Sequence, residues 1–149
     1  MQQHTIMIVD DSDDTREIFQ ATLETEGYKV LGAKDGLEAL DMLEDHKDIS
    51  LVLLDLAMPG MTGIELLEAM QQRNLAQNVP IIFVSAANNL EQIARPANVV
   101  DVLKKPFFYP ELIHKIKVKH GFKANKKISG SPEQNKAATP EPPVPTSKW

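Results

Sequence analysis

Short runs of apolar residues, recurring along the chain and separated by amphipathic stretches, limit its possible folds more than any other feature. They are Thr5 to Val9, Tyr28 to Gly32, Leu51 to Leu54, Ile81 to Val84 and Val99 to Leu103. Most are continuously apolar. A strand with one wet face would alternate apolar and polar side chains, so these runs read as strands covered on both faces. Tyr28 to Gly32 is more mixed and suits an edge strand.

The intervening segments carry helix signals. Ser12 can cap a first helix with Ile18, Phe19, Thr22 and Leu23 on one face, stopped at Gly27. Asp35 and Glu38 make a start resembling a capping box for a second helix, through Leu40 and Leu43. Thr62 and Glu65 make a full threonine–glutamate box for a third, burying Ile64, Leu67 and Met70. Asn88 and Glu91 predict a short fourth helix that Pro96 stops. Pro110 fits the first turn of a fifth, with Leu112, Ile113 and Ile116 inward. Strict alternation of five strands and five helices predicts an α/β doubly wound five-stranded parallel sheet with helices on both faces.

The chain has 149 residues, a net charge of −5 and no cysteine. That length suits one domain. The acidic balance argues against nucleic acid as a partner. Without cysteine there are no disulfides, thiolate catalysis or cysteine-bound zinc. No signal peptide and no apolar run long enough for a bilayer is visible, so the expected location is cytoplasmic, with no membrane partner. Residues 123–149 are rich in Lys, Pro, Ser, Asn and Glu and cannot offset their ordering entropy by burial. A domain over 1–122 and a disordered tail over 123–149 are expected, with Glu141 to Pro145 favouring extended conformations.

Chemistry-bearing residues stand at the strand ends. Asp10 and Asp11 follow the first strand, Asp55 the third, Ser85 the fourth and Lys105 the fifth. In an open sheet of order 2-1-3-4-5, ligands bind where strand order reverses, between the first and third strands. That topology brings the three carboxylates into one crevice. Close carboxylates repel unless a cation or protons intervene. Oxygen donors without Cys or His suit Mg²⁺ or Mn²⁺. A phosphoryl group on Asp55 would share its oxygens among that cation, the Ser85 hydroxyl and the Lys105 ammonium.

Aspartates in such places also serve as ordinary caps and turn residues, and a lone serine is usually structural. The joint occurrence is what carries weight. Met58, Met61 and Met70 read as packing residues. Lys104 and the lysines from Lys115 to Lys127 read as a solvated neighbour and a solvated helix end and tail.

Residues 4 to about 120 resemble the receiver domain of two-component response regulators, the flavodoxin-like family that includes the chemotaxis regulator CheY. The matching pieces are Val9-Asp10-Asp11-Ser12, Asp55-Leu56-Ala57-Met58-Pro59-Gly60-Met61-Thr62-Gly63, Ser85-Ala86 and Lys104-Lys105-Pro106-Phe107. The resemblance implies that Asp55 is the phosphoacceptor and that Asp10 and Asp11 are the acidic pair, with Asp11 a direct Mg²⁺ ligand. It implies further that the Ala57 backbone carbonyl is a ligand, Ser85 the switch hydroxyl and Lys105 the phosphate-contacting lysine, before a cis Lys105–Pro106 bond. A histidine kinase or histidine phosphotransfer protein would donate the phosphoryl group, and an output protein would read the altered surface. The module would stand alone, catalysing nothing beyond its own phosphorylation and dephosphorylation.

The chain departs from the family at Val102, where the family usually has an aromatic switch, and at Asn98-Val99, often a Gly-Ala pair. Ala57 and Ala87 leave both flanks of the site small. These departures leave the chemistry intact and bear on the signalling surface; the response is expected between Ser85 and Arg95. Two other functions fit the same fold. A dehalogenase-type phosphatase needs an acid–base aspartate two residues after its nucleophile, where this chain has Ala57. A flavin or nucleotide binder needs a glycine-rich first loop, where this chain has Asp10-Asp11-Ser12-Asp13-Asp14. An unphosphorylated scaffold receiver would not need the complete quartet.

Overall fold

The computed structural model describes residues 4–86, 88, 96 and 98–119. In chain order the elements are β1 (Thr5–Val9), α1 (Asp13–Thr25), β2 (Lys29–Ala33), α2 (Gly36–Asp45), β3 (Ile49–Leu54), α3 (Gly63–Gln72), β4 (Ile81–Ser85), β5 (Val99–Lys104) and α4 (Tyr109–His114), followed by a π turn at Lys115–Lys119. The strands form one sheet in the order β2-β1-β3-β4-β5. Every neighbouring pair is parallel. This is the doubly wound, flavodoxin-like architecture expected, with the mixed β2 at an edge. The helix expected from Asn88 to Pro96 falls largely outside the described residues.

The runs of β1, β3 and β4 have both faces buried, whereas β5, at the other edge, buries one face and leaves Val100 exposed. Met7, Val9, Val52, Leu54, Ile81 and Phe83 point into a layer shared with α2 and α3. Ile6, Ile8, Leu51, Leu53, Ile82 and Val84 point the other way, onto α1 and α4. Successive strand side chains alternate between faces. A continuous apolar run therefore fills two layers at once, and each buried Val, Leu, Ile or Phe stabilises by roughly 1.5–3 kcal/mol.

The helix starts follow the sequence signals, with local differences. The Ser12 side chain accepts from the Thr15 amide at 3.2 Å and caps α1. Asp13 and Asp14 in the first turn complement the helix dipole. Phe19 and Leu23 form the buried stripe, but Ile18 is 50% exposed. Adjacent helical residues diverge by about 100°, so a stripe centred on Phe19 and Leu23 leaves Ile18 on its flank. At α2, Asp35 accepts from the Glu38 amide at 2.8 Å, while the Glu38 carboxylate reaches the Lys34 amide, one residue before the cap. At α3 the Thr62–Glu65 box is reciprocal.

The last segment departs most. Pro110 lies in the first turn of α4 and Leu112 and Ile116 are buried, but the α-helix ends at His114 and the chain widens into the π turn. Lys115 and Lys117 are not simply solvated. Lys115 meets the largely buried Asp101 of β5 at 3.2 Å, and Lys117 meets Glu26 at 2.7 Å. Met58 and Met70 are buried and Met61 packs against the core, as packing residues should.

Candidate functional site

Sheet register assembles the site. Val9 pairs with Leu54, so Asp10 and Asp55 follow side by side, with the Asp55 amide donating to the Val9 carbonyl at 3.0 Å. Ser85 pairs with Lys104, and the Lys105 amide donates to the Ser85 carbonyl at 2.9 Å. Asp10, Asp55, Ser85 and Lys105 thus stand at the carboxyl ends of four strands, at the crevice where strand order reverses. The Lys105–Pro106 bond is cis.

Asp10, Asp55 and Ser85 are buried, while Asp11 is exposed. One carboxylate oxygen from each of Asp10, Asp11 and Asp55 lies within 4.8 Å of the others. Asp10 spends both oxygens on the protein: Oδ1 accepts from the Ser12 amide at 2.9 Å and Oδ2 from Lys105 Nζ at 2.8 Å. Asp55 Oδ1 accepts from the Ala57 amide at 3.1 Å, whereas its Oδ2 lies 3.8 Å from Lys105 Nζ. Asp10 is thus the carboxylate most fully engaged by the protein, and Asp11 is the exposed one.

Burial pushes the Asp55 carboxyl above its ordinary range. The Ala57 amide, the Lys105 ammonium and a hydrogen bond with Ser85 pull it back, and the Asp10 charge pushes it up. A buried carboxylate beside two others is an unsatisfied anionic site. Its donor set is all oxygen, with neither His nor Cys in the cluster. That chemistry fits a hard divalent cation, with water completing the coordination. Ala57 is exposed at the lip, next to the Asp55 carboxylate.

All the side chains singled out from sequence converge here. Two neighbours were missed. Arg16 in α1 donates to the Asp10 carbonyl at 2.7 Å. A charged residue in the first turn, three positions after Asp13, was its only sequence signal. Tyr109 packs against Phe19 and Phe107 beside Lys105; burial pushes its phenol up, Lys105 pulls it down and Asp10 pushes it up again. With Lys105 these rings line an open cleft of about 420 Å³. Val102 is half-buried in β5.

Residues 6–117 match the family model for the response regulator receiver domain. Among similar proteins, the two-component response regulator-like PRR37 of Oryza sativa subsp. indica is 34% identical over 110 residues, 72% of this chain but 15% of its own length. The polar-differentiation response regulator DivK of Brucella anthropi is 29% identical over 115 residues, 76% of this chain and 93% of its own. Among solved structures, the response regulator TrrA of Thermotoga maritima in complex with Mg(2+)-BeF has a TM-score of 0.69 at 29% identity, covering 77% of this chain and 97% of that one. With the family model spanning most of the chain and its strand-end residues gathered in one crevice, the chain belongs to the response regulator receiver family of two-component systems.

Proposed function

We propose that residues 1–122 act as a response regulator receiver that accepts a phosphoryl group on Asp55, with residues 123–149 as a tail after it. The observation that carries this reading is the buried Asp55 carboxylate, whose Oδ2 lies 3.8 Å from the Lys105 ammonium. In the transfer, the P–N bond of a phosphohistidine breaks and an O–P bond to Asp55 forms. The imidazole leaves with the bonding pair and Lys105 keeps its proton. A histidine kinase or histidine phosphotransfer protein is the donor; the open cleft beside Lys105 and the 84% exposed Phe108 offer apolar surface next to the reacting carboxylate.

The residues divide the work. Lys105 neutralises charge on a phosphoryl oxygen, and its bond to Asp10 holds it there. Ser85, already bonded to Asp55, can donate its hydroxyl to a second oxygen. Asp11, Asp55 and the Ala57 carbonyl, with Asp10 in the same acidic set, would hold Mg²⁺ or Mn²⁺, which would supply further positive charge for the transferring group. Ala57 provides no acid–base group, which speaks against a phosphatase of the dehalogenase type. Phosphorylation changes a protein-binding surface, and the departures around Val102 direct that change toward the segment after Ser85.

The test is incubation with acetyl phosphate, read by intact mass. One base-labile phosphoryl adduct is expected, dependent on Mg²⁺ or Mn²⁺. An Asp55→Asn variant that labels as well as the wild type would overturn the assignment. Ser85→Ala should still accept the group but lose the amide-shift response to beryllofluoride.

A further inference from the structure

One charged side chain beside the crevice has no part in this reading. Arg16, in the first turns of α1, keeps only 18% of its side chain exposed. One guanidinium nitrogen donates to the Asp10 carbonyl at 2.7 Å, and another donates to the Asp13 carboxylate. The aliphatic stem passes over Gly32 of β2, where an added Cβ would lie 3.4 Å from Arg16 Cδ. Arg73 shows the contrast. It meets Glu44 at 3.7 Å with both side chains about half exposed (49% and 50%), an ordinary surface pair.

The two acceptors of Arg16 flank Asp11 and Ser12. Asp10 leaves β1, and Asp13 opens α1. A planar guanidinium that bridges them restrains the turn from both ends, a geometry that an ammonium cannot reproduce. Within the turn, Ser12 donates its amide to Asp10 Oδ1 at 2.9 Å and accepts from the Thr15 amide at 3.2 Å. Asp11 is the exposed residue between, so its carboxylate takes its direction from this turn.

We propose that Arg16 is a positioning residue of the crevice: by tying the Asp10 carbonyl to Asp13 it aims the Asp11 carboxylate and sets the affinity for a divalent cation. This rests on reading the crevice as a cation site. Two effects of Arg16 oppose each other. Its charge repels a cation, so Coulomb's law alone predicts tighter Mg²⁺ binding once it is removed. Its restraint orders Asp11 before the ion arrives, so loss of the restraint weakens binding. The charge acts on the crevice from a solvent-screened ion pair with the exposed Asp13, whereas the restraint acts through a direct hydrogen bond to the Asp10 carbonyl. The second effect is the larger.

Titration of the full chain with MgCl₂, followed by amide chemical shifts, distinguishes the two by sign. Arg16→Ala should bind Mg²⁺ about tenfold more weakly, the scale on which outer partners of metal ligands act. Arg16→Lys keeps the charge without the planar fork and should also bind more weakly than wild type. It carries the test if metal-free melts show that Arg16→Ala does not fold. Affinity equal to or above wild type in Arg16→Ala, or wild-type affinity in Arg16→Lys, overturns the clamp alone. A wild-type protein that binds no Mg²⁺ overturns both the clamp and the cation site beneath it.

Discussion

Replacing Lys105 with methionine should destabilise the metal-free protein, and Mg²⁺ should reverse much of the loss. Lys105 Nζ is 2.8 Å from Asp10 Oδ2 and 3.8 Å from Asp55 Oδ2. At an effective dielectric of about 20, those separations correspond to attractions on the order of 6 and 4 kcal/mol. The ammonium's own desolvation and ordering oppose them. Breaking a buried pair costs 3–5 kcal/mol, and Lys105 retains 26% exposure, so a net loss of about 3 kcal/mol is expected. For a domain of this size that is a drop in Tm of roughly 10 °C. A divalent cation held in the crevice would restore positive charge beside these carboxylates, so Mg²⁺ should stabilise the variant more than the wild type.

The pH dependence has a definite sign. Asp55 is raised above 3.8 by burial, so the folded state binds its proton more readily than the unfolded chain. Its contribution to stability is fully present below the unfolded value and is lost as pH rises through the folded value. Lys105 limits that rise. In the variant, stability should therefore fall more steeply from acid toward neutral pH. The assay is urea denaturation in EDTA and in Mg²⁺ at several pH values. A variant as stable as wild type in EDTA at neutral pH, or one that gains no more from Mg²⁺, would refute the electrostatic argument.

Two further outcomes follow from single contacts. Tyr28 is buried with no hydrogen-bond partner for its hydroxyl among the described residues, and burial with the nearby Glu26 charge pushes the phenol up to about 12. Tyr28→Phe should stabilise by about 1 kcal/mol in urea melts and abolish the loss of stability that wild type shows between the ordinary phenol range and pH 12; a destabilised phenylalanine variant contradicts this. At Gly63 an added Cβ would sit 2.7 Å from the Asp55 carbonyl oxygen and from a Leu56 methyl carbon. Gly63→Ala should cost about 2 kcal/mol by overpacking and slow phosphoryl uptake by displacing the Asp55 loop; wild-type stability and labelling would show that the loop yields freely.

Local signals carried a large part of the architecture. Apolar runs of strand length, Ser12 and Thr62 as caps and Pro110 in a first turn act within a few residues, where backbone geometry and hydrogen bonding leave few choices. Alternation and crossover handedness restrict those elements to a parallel, doubly wound sheet, while the choice of the order β2-β1-β3-β4-β5 is seen in the folded sheet. Asp10, Asp55, Ser85 and Lys105 were legible for the same reason, because strand ends in this topology share one crevice.

Other features depend on atoms far apart in the chain. The outward turn of Ile18 is set by where α1 rests on the sheet, a question of packing that its own periodicity leaves open by a residue. Lys115 and Lys117 looked like a solvated helix end because Asp101 and Glu26 are distant in sequence; the fold brings them to 3.2 Å and 2.7 Å. The engagement of both Asp10 oxygens required the Lys105 ammonium to arrive from β5. Arg16 carried no motif, and its part emerges only where α1 folds back over the end of β1. Sequence patterns report which residues lie on which element, because those constraints are local. Which oxygen is free, and which charge is compensated, is decided by non-local contacts that exist only after the chain has packed.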